Sequence, residues 1–182
     1  MLVMQSDIRT IEEKIMQKPI VKYFLMALVL IAGFGSDFMS KQWAKSTLNG
    51  KPPQVLVPGF VDVGYSENRG MVFGIMNNGQ GNIFKNFLTW VRIAIFIGVS
   101  ILICFWRKRA FSVLFPFLLI WAGAIGNISD SFISGFVVDF IHIHAGTILD
   151  WPFYFNLADA YLCVGMAILI IFSFTTPKGE KK

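Results

Sequence analysis

Four apolar runs, near Ile20 to Phe38, Phe87 to Trp106, Phe111 to Phe132 and Phe153 to Phe174, constrain this chain more than anything else in it. Each approaches the roughly 20 residues that a helix rising about 1.5 Å per residue needs to cross the hydrocarbon of a bilayer. The sequence therefore predicts an all-α polytopic membrane protein with four transmembrane helices. Because 55% of the 182 residues are hydrophobic, a soluble domain is excluded, and one membrane-embedded domain is expected over 20–174. The segment before the first run is polar, and no small-residue cleavage site follows a short apolar core, so that run reads as a retained helix.

The net charge of +5 is gathered at the ends of the runs, a pattern that argues for a membrane and against nucleic acid. Lys14, Lys18 and Lys22 precede or open the first run, Arg107, Lys108 and Arg109 separate the second from the third, and Lys178, Lys181 and Lys182 follow the fourth. Four crossings bring all three groups to one side, and the positive-inside rule makes that side the cytoplasm, with both termini. The outer connections are then Lys41 to Lys85 and Ser134 to Pro152. In the first, Val55-Leu56-Val57, the turn signal Pro58-Gly59 and Phe60 to Tyr65 predict a small extracytoplasmic β-sheet cradle over about 50–76. The second is expected to lie along the interface, with Trp151 and Trp43 as headgroup-level anchors. Residues 1–19 set Ile8, Ile11, Ile15 and Met16 near one helical face, with Thr10 and Glu13 spaced as a capping box, so a short cytoplasmic amphipathic helix is expected there. Residues 175–182 form a basic tail. Cys104 and Cys163 stand alone in separate apolar runs and read as buried packing residues.

Ionisable groups in a span are costly, so their depth is informative. At about 1.5 Å per residue, Asp37 lies roughly 25 Å along the first helix and Asp130 roughly 28 Å along the third, while Asp159 is about 9 Å below the outer surface on the fourth. Asp139 belongs to the second outer connection. Four carboxylates thus converge on the outer rim, together with Asn127, Asn156, Gly123, Gly126 and Gly135, and none occupies the inner half of a span. A single such acid reads as a wetted helix end; four together do not. Ala122 and Gly126 form a small-xxx-small pair suited to helix packing. Acids in membrane helices also mark ion pathways, but empty inner halves argue against a continuous one. His142 and His144 have no third ligand at a suitable spacing, so interfacial packing is expected and no metal.

Taken together, Ser36-Asp37 with Lys41, Asn68-Arg69-Gly70 with Phe73, Gly123 to Asn127 with Asp130, Val137-Val138-Asp139-Phe140, and Phe155 to Asp159 resemble, in order and spacing, the motif blocks of the lipoprotein signal peptidases. The resemblance covers Ile20 to Phe174. It implies a multi-pass bacterial inner-membrane aspartic endopeptidase, working as a monomer without cofactor or metal at the outer leaflet among membrane lipids. Its substrates would be diacylglyceryl-modified prolipoproteins, cut just before the lipidated cysteine. It also implies that Asp139 and Asp159 are the catalytic pair, and that Asp37, Lys41, Asn68, Gly70, Asn127, Asp130 and Asn156 orient the pair or grip substrate. Two positions depart from the family's pattern: Ser131 follows Asp130 where arginine is usual, and Met71-Val72 replaces a small pair. Ser131 leaves open a catalytically silent relative that only binds lipidated peptides.

Overall fold

In a computed structural model of the chain, the described residues are 18–69, 81–145 and 149–175. The N-terminal amphipathic helix, the basic tail, Gly70, Phe73 and the part of the cradle beyond residue 69 lie outside them, as does the side chain of Trp151. Helices α1 (Pro19–Thr47), α2 (Gly81–Trp106), α3 (Phe111–Ile133) and α4 (Leu157–Thr175) are each long and apolar enough to cross a membrane.

Helix α1 opens on proline, whose missing N–H would have no intrahelical partner there. It runs on past Phe38 to Thr47, beyond the expected end of the first span. Asp37 and Lys41 explain the extension: one turn apart on the same face, they neutralise each other at 2.7 Å, so the helix need not end where its charges begin.

The connections carry more regular structure than the sequence suggested. Strands β1 (Gln54–Val57) and β2 (Val61–Asn68) come from the first connection, β3 (Val137–Ala145) and β4 (Leu149–Phe155) from the second. They form one antiparallel sheet in the order β1-β2-β3-β4. The turn between β1 and β2 holds Gly59 at a φ of 79°, a left-handed conformation that glycine adopts without strain. Two expectations are corrected. The second connection is a hairpin, so the protein is mostly helical with some sheet rather than all-α. Phe153 to Phe155 belong to that hairpin, Tyr154 pairing with His142 and Phe155 with Ile141, and α4 starts only at Leu157.

The boundary has a local cause. Asn156 Oδ1 accepts the N–H of Asp159 at 3.1 Å, and Asp159 Oδ2 accepts the N–H of Asn156 at 3.3 Å. This reciprocal pair is a capping box, which satisfies otherwise orphaned donors and fixes the start of the helix.

Helix α3 lies at the centre, with Leu114, Leu118, Ala122, Ala124 and Ile128 all buried. Gly123 lets the α4 backbone come close, since a Cβ there would collide with the carbonyl of Ala158. Outward-facing apolar residues of α1, α2 and α4, among them Ile31, Ile97 and Ile170, are exposed, as suits helices solvated by lipid. Cys104 and Cys163 are on this exposed surface and not buried, because α2 and α4 turn apolar side chains outward. A second cluster of Ala44, Leu48, Val63, Val138 and Phe140 seats the sheet on the end of α1. Trp43 packs edge-on against Phe140 there, with ring centroids 6.1 Å apart.

Candidate active site

The end of α1, the end of α3, the strand β3 and the first turn of α4 meet beneath the sheet, and each contributes a charged or amide side chain. The network starts at Lys41, which is 1% exposed. Its ammonium reaches Asp37 at 2.7 Å and Asp130 at 3.1 Å, and donates to Asn127 Oδ1 at 3.1 Å. A lone ammonium at this depth would be strongly destabilising; two carboxylates and an amide oxygen compensate it.

Lys41 also decides which way Asn127 points. Asn127 Oδ1 accepts from both Lys41 and Asn156 Nδ2, the latter at 3.1 Å, so the amide nitrogen is turned toward Asp159 and donates to its Oδ1 at 2.8 Å. Asp37 acts on the same carboxylate through the backbone: its Oδ1 accepts the N–H of Ala158 at 2.9 Å, tying the start of α4 to α1. Gly126 faces the other side of Asp37, where a Cβ would overlap the carboxylate. Asp130 reaches outward to the sheet, accepting the N–H of Val138 at 3.3 Å and so locating β3 one residue before Asp139.

Asp139 is held on both sides. Asn156 Nδ2 donates to its Oδ1 at 2.6 Å, and Asn68 Nδ2 donates to its Oδ2 at 3.0 Å from the neighbouring strand. The sheet register explains the second contact, because Asn68 lies opposite Val137 and diagonal to Asp139 on the same face. Asp139 is 3% exposed, and burial, followed by the negative charge of Asp159, pushes its carboxyl up to about 7. The hydrogen bonds from Asn68 and Asn156 oppose that rise. Asn156 is thus the bridge: its amide binds one carboxylate while its backbone and side-chain oxygen form the capping box with the other.

Among the described residues no three His, Cys, Asp or Glu side chains gather as metal ligands. His142 and His144 stack on each other at 5.7 Å, and His142 stacks on Tyr154 at 5.2 Å. His144 Nε2 comes within 3.3 Å of Asp62 Oδ2, a neighbour that sequence spacing could not suggest because β2 and β3 are far apart in the chain. Tyr161 was also not singled out. Its hydroxyl lies 2.8 Å from that of Ser36 and links α4 to α1 one turn below the Asp37 tether.

The sequence model of the family described as Signal peptidase (SPase) II matches residues 28–175. A lipoprotein signal peptidase of Serratia proteamaculans is 33% identical over 178 residues, covering 91% of this chain and 96% of its own. One from Shewanella halifaxensis is 32% identical over 164 residues, covering 88% of this chain and 89% of its own. A solved bacterial membrane enzyme superposes with a TM-score of 0.66 at 25% identity, over 87% of this chain and 93% of that one.

Proposed function

The chain belongs to the signal peptidase II family, membrane proteases that cleave the signal peptides of prolipoproteins, and on that premise we propose that it is an aspartic endopeptidase whose dyad is Asp139 and Asp159. The observation that carries the reading is the double engagement of Asn156, whose side-chain amide donates to the Asp139 carboxylate and whose backbone N–H donates to that of Asp159, so that one buried asparagine holds two carboxylates of different chain segments. Two carboxylates held close together repel, so the working dyad pairs one protonated and one ionised carboxyl group. We assign the proton to Asp139, the more deeply buried of the two, and the role of base to Asp159.

The ionised carboxylate of Asp159 takes a proton from a water between the two acids. The water oxygen attacks the scissile carbonyl carbon while the Asp139 carboxyl donates to the carbonyl oxygen. Collapse of the tetrahedral intermediate returns a proton to the departing amine. Asp37, Lys41, Asn127, Asp130 and Asn156 orient the dyad, Asn68 beside Asp139 grips substrate backbone, and Gly70, outside the described residues, is given the same role by the family resemblance.

The bond cut is the one before a diacylglyceryl-modified cysteine. A lipid on the substrate holds that bond near the interface, and a dyad shared between strand β3 and the first turn of a spanning helix is at the matching depth. The positive-inside reading turns the sheet end outward and the Arg107 to Arg109 turn inward. One membrane domain over 20–174, acting as a monomer among membrane lipids, completes the proposal. Purified protein in detergent tests it directly: wild type should cleave a diacylglyceryl-cysteine peptide, and Asp139→Asn and Asp159→Asn should each fail to do so while purifying normally. Turnover by both variants would exclude the dyad.

A further inference from the structure

At the end of the bundle remote from the carboxylates, the first turn of α1 meets the turn from α2 to α3 around a cavity of about 240 Å³. Lys22, Lys108, Arg109, Ala110 and Phe111 line it. Lys22 is 8% exposed, and its ammonium donates to the Arg107 carbonyl at 2.7 Å, with the Arg109 carbonyl at 3.5 Å. It makes no ion pair among the described residues, although both other buried charges on α1, Asp37 and Lys41, are compensated. Carbonyl dipoles and the Tyr23 ring, 5.3 Å from the ammonium, offset its charge only in part and leave one of its three N–H donors to offer.

Three further features have the same sign. Lys108 and Arg109 add two exposed cations to the lining. Ala110, the N-cap of α3, offers no side-chain acceptor, so the positive end of the most buried helix is uncapped at this cavity. The surrounding helix ends are apolar, with Phe105 80% exposed, so whatever fills the cavity is bordered by acyl chains.

The geometry points to a binding site for the phosphate of an anionic phospholipid, taken from the leaflet opposite the carboxylate network. Backbone N–H groups and the guanidinium of Arg109 would hold the phosphate oxygens, with Lys22 behind them as the buried charge. Free phosphate shares this chemistry, but a ligand with acyl chains also covers the apolar rim. The site is separate from the proteolytic one and does not depend on it.

The test is titration of purified full-length protein in detergent, read by native mass spectrometry, with phosphatidylglycerol, phosphatidylcholine and inorganic phosphate as probes. The expected result is one phosphatidylglycerol per chain, bound roughly tenfold tighter than phosphatidylcholine, as suits a few basic residues facing an anionic headgroup. The Lys108→Gln/Arg109→Gln variant should lose that preference, Lys108→Arg/Arg109→Lys should keep it, and Lys45→Gln, at the other end of α1, should not alter it. Cleavage of a lipidated peptide in detergent, unchanged in all three, reports their folding. Equal binding of the two lipids, or a preference that survives Lys108→Gln/Arg109→Gln, overturns the site. Displacement by millimolar inorganic phosphate overturns the lipid as its ligand.

Discussion

The guanidinium of Arg92 on α2 turns toward the bundle and donates to the hydroxyl of Ser131 on α3 at 3.4 Å. That hydroxyl gives its own proton to the carbonyl of Asn127, whose amide holds Asp159. A cation supplied by a different helix therefore stands beside Ser131. Arg92 retains donors that this contact does not use, and substrate carbonyls are suitable acceptors. Arg92→Lys is expected to raise KM for a lipidated peptide roughly five- to tenfold with kcat little changed, since lysine cannot reproduce the planar fork. Adding Ser131→Arg should recover part of the loss. Unaltered kinetics in Arg92→Lys would reject this role.

Asp139→Asn and Asp159→Asn should each lower kcat by roughly a thousandfold or more, because a dyad works as a unit and its members' effects are not additive. The double variant should be no worse than either single one. Excess chelator should leave wild-type turnover unchanged; loss with EDTA that zinc restores would return His142 and His144 to consideration.

The pH profile follows from the raised Asp139 carboxyl. Above about 7 it loses its proton and the donor to the substrate carbonyl is gone, so kcat should fall on the alkaline side. The hydrogen bond from Asn68 stabilises the charged form and so lowers this value. Asn68→Leu should therefore move the alkaline limb upward, with activity persisting to higher pH. A limb displaced downward, or one that stays put, would contradict the assignment of the proton to Asp139.

Lys41→Met should cost about 3–5 kcal/mol, the usual range when one member of a buried ion pair is removed and its partners remain charged. Thermal unfolding in detergent measures it. The variant should also lose turnover, because Asn127 is then free to rotate away from Asp159. If Lys41→Met melts and cleaves like wild type, the charge network does not orient the dyad.

Topology is open to chemical labelling. In a background with Cys104 and Cys163 replaced, a Lys51→Cys variant, at the exposed turn before the sheet, should react with an impermeant thiol reagent from outside intact cells, and Lys108→Cys should not. The reverse pattern would invert the proposed orientation and carry the dyad to the other leaflet.

Much of the fold was legible in the sequence because lipid imposes a length on every helix that crosses it. The four runs could be read directly, and Asp37, Asp130, Asp139 and Asp159 could be grouped at one end of the bundle from helix length and the alternation of crossings. The hairpin was harder to see. Ile141, His142, Ile143 and His144 do alternate, but the apolar surroundings of a membrane chain mask a period-two signal that would stand out in a soluble one. The start of α4 was misplaced for a related reason: Phe153 to Phe155 are as apolar as the helix after them, and only the Asn156 and Asp159 capping pair marks the boundary. Contacts between distant segments, such as Asp37 with the Ala158 N–H or Asp62 with His144, leave no trace in spacing, because each depends on how the helices and strands finally pack.

The tether from Asp37 to the Ala158 N–H sets a clock on the newborn protein. Helix α1 leaves the ribosome first and α4 last, yet the aspartate of one fixes the opening turn of the other. Until α4 has been synthesised and inserted, Asp37 and Lys41 have no helix end to organise, Asn127 has no carboxylate to hold, and Asp139 has neither Asp159 nor Asn156 beside it. With the proposed dyad, proteolytic competence arrives in a single step with the final helix, and a partly made chain would have none.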